Sequence, residues 1–267
     1  MIGRDAGGGE AVSRGRSLEA PPAADCRWAF FLDVDGTLAD LANAPGEVRI
    51  PRATRDLVSA LGEATGGAVA LVSGRSISDI DRMFPSLELH VAGQHGSERR
   101  DARGRRWTSG SGGRELDAAR ARLARVVARE RGLLLEDKGR CIALHYRAAP
   151  QLETMVLDEV GRVHAELGPE FETLRGKYVV EVRRSGVHKG AAIEAFMAGP
   201  PFVHRVPVFV GDDLTDEHGF AVVNALGGHS VKVGDGPSIA RWRLADVGAV
   251  TRWLAAACAE ETPPPRQ

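Results

Sequence analysis

Apolar residues in this chain cluster in short continuous runs set between longer amphipathic stretches. WAFFL (28–32), AVALV (68–72), LHVA (89–92), VPVFV (206–210) and SVKV (230–233) have the length and character of strands buried on both faces. Pro51 opens a helix in which Leu57 and Leu61, four residues apart, share one face. Strands of this kind alternating with helices predict an α/β core, a parallel sheet covered by helices on both sides.

A different texture interrupts this pattern from about residue 98 to 185. A polar turn and a charged helix (115–131) precede the strand-like LLLED and CIALHYR, a helix near 152–167, and KYVVEVR. Strand, strand, helix, strand with alternating polarity predicts an inserted α+β module with one open face. Within KYVVEVR, Lys177, Val179 and Glu181 are spaced to share one strand face. The predicted organisation is a loose N-terminal segment (1–25), a core of residues 26–97 plus 186–259, a cap of residues 98–185, and a loose tail (260–267). Both ends are polar or rich in small residues and bury too little apolar surface to offset their ordering entropy.

Charge and composition remove several function classes. The formal net charge of -1 gives no global basic field to attract nucleic acid. The local run RRDARGRR (99–106) reads as an exposed turn. No apolar run approaches the roughly 18 residues that span a bilayer, and the N-terminus lacks the apolar stretch of a secretory signal. Cys26, Cys141 and Cys258 form no CxxC pair, which points to a reduced, cytoplasmic protein. At 267 residues the chain is long enough for one large or two small domains.

The candidate chemistry lies where the apolar runs stop. Ligands of parallel α/β sheets gather at the carboxyl ends of the strands. WAFFL ends in Asp33-Val34-Asp35-Gly36-Thr37, AVALV in Ser73-Gly74-Arg75, and VPVFV in Gly211-Asp212-Asp213-Leu214-Thr215-Asp216. Lys189 opens the helix before the last of these strands. Asp33, Asp35 and Asp212 are thereby expected in one crevice, where packed carboxylates either rise in pKa or take up a cation. An all-oxygen set without a His/Cys cluster suits a hard ion such as Mg2+. The ion and Lys189 would draw in a phosphate, with Ser73 and the amides near Gly36 and Gly74 bonding its oxygens. Taken singly, DxD is an Asx-turn, SGR a loop, GDD a turn and Lys-Gly a solvated cap. Their order, each at a strand end, carries the signal.

DVDGT, Ser73, Lys189 and GDDLTD resemble the four motifs of the haloacid dehalogenase (HAD) superfamily of phosphotransferases. That resemblance implies a Rossmannoid core, Asp33 as a nucleophile forming an aspartyl phosphate, and Asp35 as general acid/base. It also implies Mg2+ held by Asp33, the backbone carbonyl of Asp35 and Asp212, with Asp213 and Asp216 outside them or bridged by water. The phrases LVSGRS, AGQHGSE, LEDKG, LHYR, GKYVVEVR, GVHKGAAI and VFVGDDLTDEHGF narrow the resemblance to the trehalose-6-phosphate phosphatases. In that family the cap reads the disaccharide, which implies Lys138, Arg147, Lys177 and Glu181 as sugar contacts. Gly36, Thr37, Gly74, Arg75 and His95 would lie beside the substrate. The implied partner is small, trehalose 6-phosphate, and the resemblance raises a functional link to a separate trehalose-6-phosphate synthase, which the sequence itself does not give. Arg184, where proline often follows EVR, and His188, where aspartate often precedes Lys-Gly, depart from the family pattern. A phosphatase acting on another glycosyl phosphate (mannosyl-3-phosphoglycerate, sucrose 6-phosphate or glucosylglycerol phosphate) and a catalytically silent sugar-phosphate sensor are the alternatives.

Overall fold

The computed structural model describes residues 19–41, 47–85, 87–108, 114–176 and 178–258. Three buried apolar runs, β1 (Ala29–Leu32), β2 (Val69–Val72) and β3 (His90–Gly93), pair in parallel, β1 beside β2 and β2 beside β3. Helices α1 (Arg52–Ala64) and α2 (Ile77–Met83) connect them. Antiparallel β4 (Glu98–Arg100) and β5 (Arg106–Thr108) continue this sheet beyond β3.

After a long excursion (α3 Asp117–Val127, β6 Leu134–Asp137, β7 Cys141–His145, α4 Glu153–Leu167, β8 Phe171–Gly176, β9 Val179–Arg184) the chain returns through α5 (Lys189–Met197). It then lays down β10 (Pro207–Gly211), α6 (Glu217–Ala225), β11 (His229–Val233), β12 (Trp242–Leu244) and α7 (Val247–Cys258). The strand order is β12-β11-β10-β1-β2-β3-β4-β5. The chain thus leaves β1 in one direction and later departs from β10 in the other. The β1/β10 boundary is a topological switch point, where the two following loops splay apart and leave a crevice.

Strand periodicity divides the core into two layers. Phe30 and Leu32 of β1 face a cluster with Val58, Leu61, Val250 and Leu254, under α1 and α7. Ala29 and Phe31 face the other way, onto Ile193, Phe196, Phe209 and Phe220, under α5 and α6. This two-sided burial is why the strands read as unbroken apolar runs. The excursion forms its own antiparallel sheet, ordered β6-β7-β9-β8. One face of that sheet is sealed by α3 and α4 through Leu123, Val156, Val160, Val163, Ile142, Leu144, Val180 and Val182.

Four sequence expectations need correction or completion. The run 99–106 is a β-hairpin rather than a turn, and it extends the core sheet, so residues 98–108 do not pair with the cap sheet. Arg100 of β4 pairs with Asp81 at 2.7 Å and Arg99 lies 6.0 Å from the Phe196 ring centroid, while β5, with exposed Arg106, forms the sheet edge. Charge on an edge strand blocks further pairing and looks like a loop in sequence. The cap has a fourth strand, β8, which its sequence FETLRG conceals because only Phe171 is buried. The segment 19–25 is anchored: Arg243 N–H donates to the Glu19 carbonyl (2.9 Å), the Trp253 indole N–H to the Pro22 carbonyl (2.7 Å), and Ala24 joins the core. Backbone carbonyls supply these anchors, so residue types do not advertise them. Residues 1–18 and the tail from 259 lie outside the described residues. Among the described residues no helix is long and apolar enough to cross a membrane.

Candidate active site

Asp33 follows directly on β1, and its N–H still donates to the Val210 carbonyl of β10 (3.0 Å), so the sheet itself fixes its position at the switch point. The chain then closes a tight loop, with Leu38 and Ala39 N–H groups donating to the Val34 carbonyl and Gly36 N–H to the Ala39 carbonyl (2.7 Å). Gly36 has φ +75, and a Cβ there would overlap the Asp212 carboxylate. Glycine is needed on both counts. We expect Gly36→Ala to cut activity severely and weaken divalent-cation binding, because Asp212 must move; cation titration of the purified variant checks this. Unchanged cation affinity would show that the loop yields instead of Asp212.

Lys189, the first residue of α5, is 2% exposed. Its Nζ donates to Asp33 Oδ1 at 2.8 Å and to Asp216 Oδ1 at 2.6 Å. Oxygens of Asp33, Asp212 and Asp216 lie within 4.8 Å of one another. Burial pushes the Asp33 carboxyl well above its ordinary value; Lys189 opposes this and Asp216 and Asp212 reinforce it. Burial, with Asp216 and Asp213 nearby, pushes Asp212 up to about 7. Burial also raises Asp216. Although burial works against it, Asp216 and Asp33 hold Lys189 protonated well above its usual range.

Both Asp216 oxygens are engaged, Oδ1 by Lys189 and Oδ2 by the Asp213 N–H (3.0 Å). Asp213 turns away to cap the next turn, accepting from Thr215 N–H (2.7 Å) and hydroxyl (2.6 Å). Among the described residues no hydrogen bond reaches the Asp212 carboxylate. Its backbone carbonyl is held by the Lys232 ammonium, which also donates to Val233 O at 2.7 Å. Lys232 was missing from the sequence-based set. The only signal for it was a lysine inside SVKV, an otherwise buried run.

Asp35 stands apart from these acids. Arg75 grips it with two hydrogen bonds, Nε to Oδ2 and Nη2 to Oδ1, both 2.6 Å. Ser73 is fully buried, and its hydroxyl accepts from the Arg75 N–H (3.1 Å). Thr37 is also fully buried, and its hydroxyl has no partner among the described residues.

The cap meets the core at the turn after β3. Gln94, His95 and Gly96 all have positive φ (48, 58 and 105), a conformation that side-chain-bearing residues adopt at a cost. The turn presses the His95 ring against Gly74, where a Cβ would collide with it. His95 Nε2 stands 3.3 Å from Oε2 of Glu181 on β9, without hydrogen-bond alignment, and that Oε2 is buried and unpartnered. Glu181 Oε1 accepts from Lys138 Nζ at 2.6 Å, and the Arg140 N–H reaches Gln94 Oε1 at 3.3 Å. Burial pushes the Glu181 carboxyl up, but His95 and Lys138 outweigh it and keep it well below the usual carboxylate range.

The structure therefore brings together Asp33, Gly36, Lys189, Asp212 and Asp216 in one cluster, and Lys138, Glu181 and His95 in another. Arg147 is exposed, beyond the end of β7, with its guanidinium 5.5 Å from the Tyr178 ring centroid. Lys177 lies outside the described residues.

The trehalose-phosphatase family model matches residues 31–247. The chain belongs to the trehalose-phosphatase family. It is 43% identical over 242 residues to the trehalose-6-phosphate phosphatase of Escherichia coli (strain K12), covering 89% of each chain. Among solved structures, a trehalose-6-phosphate phosphatase related protein superposes with a TM-score of 0.73 at 27% identity, over 85% of this chain and 95% of that one. A haloacid dehalogenase-like hydrolase from Bacteroides thetaiotaomicron matches with a TM-score of 0.63 at 13% identity, over 85% and 97%, which places the fold in the HAD class. The family match runs from the second half of β1 through β12, so it includes every residue of the two clusters.

Proposed function

We infer that this protein is a Mg2+-dependent phosphatase that hydrolyses trehalose 6-phosphate to trehalose and phosphate through an aspartyl phosphate on Asp33. The observation that carries the reading is the buried Asp33–Lys189–Asp216 network beside an unbonded Asp212 carboxylate, at the switch point of the sheet. Four acids (Asp33, Asp212, Asp213 and Asp216) outnumber the Lys189 and Lys232 ammoniums, and burial together with Asp216 and Asp213 pushes the Asp212 carboxyl up to about 7, an environment that a bound cation would relieve. Oxygen-only donors fit Mg2+, held by Asp33, Asp212 and the Asp35 carbonyl. Asp216, with both oxygens engaged, braces Lys189 and the Asp213 loop. When bound, the ion neutralises phosphate charge and orients the ester for in-line attack.

Lys189 shares that neutralising role while fixing Asp33 Oδ1, so the other oxygen of Asp33 is the one presented to phosphorus. The buried Ser73 and the unpartnered Thr37 hydroxyl are donors for phosphate oxygens. Asp35 delivers a proton to the leaving sugar oxygen and then takes one from water, for which Arg75 must release at least one of its two bonds. Oε2 of Glu181, which accepts no hydrogen bond but has His95 Nε2 3.3 Å away, is an acceptor for a sugar hydroxyl, and the Lys138 ammonium orients the carboxylate through Oε1. The sugar phosphate would come from a separate synthase.

Phosphate release measured across a panel of sugar phosphates, with and without Mg2+, tests the assignment. Trehalose 6-phosphate should lead the panel, and chelation should stop the reaction. Glu181→Ala should cost roughly 2–4 kcal/mol of transition-state stabilisation on trehalose 6-phosphate, the scale of truncating one buried charged hydrogen bond. A small aryl phosphate, which has no hydroxyls for the cap, should lose little. Equal losses on both substrates would make Glu181 a residue of the core–cap contact alone.

A further inference from the structure

Helix α5 delivers Lys189 from its first position, so whatever fixes the start of that helix fixes the ammonium between Asp33 and Asp216. The residue before it, half-buried His188, is the N-cap: its backbone is extended (φ -145, ψ 162) and its Nδ1 accepts the Ala191 N–H at 3.0 Å. An Nδ1 that accepts must carry a lone pair, so the ring is the neutral tautomer with its proton on Nε2. The ring also stacks on His218 in the first turn of α6, centroids 4.8 Å and planes 18° apart. Beside this stack Gly190 lies so close to the His218 carbonyl that a Cβ would collide with it. Two helix starts are thus held together, and the Lys189–Asp216 bond (2.6 Å) runs between them, Asp216 being the residue before α6.

The usual capping oxygens of Ser, Thr, Asn and Asp keep their lone pairs at mildly acid pH, and imidazole does not. Once protonated, Nδ1 turns an N–H toward the Ala191 N–H, and the imidazolium meets the positive end of the helix dipole. We propose that His188 is a positioning residue: as a neutral imidazole it holds the first turn of α5, and Lys189 with it, and on protonation it releases that turn and slows turnover. The kinetic part rests on the phosphatase reading, whereas the cap does not. The groups around the ring set the direction. Burial pushes the His188 ring below its ordinary value, and His218 of α6 and Arg183 of β9 add to this, against Glu194 of α5 and Glu172 of β8. Arg183 and Glu172 are bonded to each other at 2.7 Å. The turn after β3 meets His188 at its carbonyl, through Gly96, and the His95 ring of that turn lies against Gly74 instead. A histidine whose folded pKa lies below its unfolded value supports the fold while neutral, above about pH 6.5, and that support is lost as pH falls. Asp33, Asp212 and Asp216 shift stability the opposite way, so the comparison is made between chains that differ at position 188 alone.

His188→Asn supplies a capping oxygen that does not titrate, and His188→Ala removes the acceptor. At pH 8 turnover of trehalose 6-phosphate by the asparagine variant should stay close to the wild-type rate. Between pH 8 and pH 5.5 the wild type should fall about fivefold further than the asparagine variant, the scale on which losing an N-cap shifts an equilibrium. The alanine variant should be slower than the asparagine variant by a similar factor at both pH values. A wild-type to asparagine ratio that stays flat would overturn the titrating cap, and an alanine variant as fast as the asparagine one would overturn the link to Lys189. Two readouts need no substrate. Nitrogen-15 NMR should show His188 Nδ1 unprotonated at pH 8, with the Ala191 amide signal moving as the ring titrates. Urea unfolding in chelator should show the wild type losing stability relative to the asparagine variant between pH 8 and pH 5.5. A protonated Nδ1 at pH 8, or equal stability of the two chains at both pH values, would overturn the cap itself. A wild type that passes both and hydrolyses no sugar phosphate would sink the phosphatase reading and leave the cap standing.

Discussion

Asp33→Asn yields a folded protein whose turnover of trehalose 6-phosphate falls on the order of 10⁴-fold or more, the scale seen when a nucleophile is removed. The amide keeps the shape of the side chain and its place on β1, fixed by the ladder bond to Val210. It lacks the charge and lone-pair reactivity to attack phosphorus. Stability should not fall with activity. Asp33 is 4% exposed, and burial raises its pKa, which means that the folded state disfavours its charged form. A carboxyl whose folded pKa lies above its unfolded value stabilises the fold only while protonated, and that contribution is lost as pH rises. At neutral pH the asparagine removes an unfavourable charge, and Lys189 retains Asp216 as its partner. The melting temperature in chelator should therefore match or exceed that of the wild type, while stabilisation by Mg2+ should shrink because Asp33 is one of its proposed ligands. Turnover near the wild-type rate would remove Asp33 from the reaction. A collapse in melting temperature would mean that the Asp33–Lys189 pair holds the fold.

Lys189→Met should cost both activity and stability. Its ammonium is 2% exposed and has two carboxylate partners, so the apolar side chain leaves Asp33 and Asp216 buried beside Asp212 with no ammonium partner for their carboxylates. Removing one partner of a buried pair costs about 3–5 kcal/mol. The sign of the pH dependence is fixed by the same groups. Asp33, Asp212 and Asp216 all have raised folded pKa values, Asp212 up to about 7, so their protonated forms favour the folded state and this support fades as pH rises. Without Lys189 to lower them they climb further. Urea unfolding in chelator should show a deficit that is large at pH 8 and smaller at pH 5. A deficit of the same size at both pH values would mean that lost packing dominates.

The buried strands and the polar residues closing them were legible in the sequence because a parallel sheet covered on both faces admits almost nothing polar until it ends. Phe30 and Phe31 serve opposite cores, so both must be apolar, and the first tolerated charges, Asp33 and Asp35, mark the strand end. The convergence of Asp33 and Asp212 followed from the rule that places ligands at that edge, whereas Asp35, expected in the same crevice, is drawn off by Arg75 and Asp216 takes its place. The outer strands β4, β5, β8 and β12 were not legible, although β6, the other edge of the cap sheet, was readable from LLLED. A strand with one neighbour and one buried residue, such as β8, or with no fully buried residue at all, such as β4, leaves no periodicity strong enough to read.

Sequence by itself determined the fold class and the family, and it pointed to the strand ends where the acidic cluster lies, since those rest on local patterns that burial and charge repulsion permit in few other arrangements. Tertiary structure decided what holds each group. Arg75 clasps Asp35 across 40 positions, Lys138 reaches Glu181 across 43, and Lys232 takes the Asp212 carbonyl across 20. Asp212 lies against Gly36, where no Cβ would fit. Partners of this kind are set by the packing of whole elements. The same lysine or arginine on a solvated face would look identical in sequence, and only its enclosure turns it into the partner of one particular oxygen.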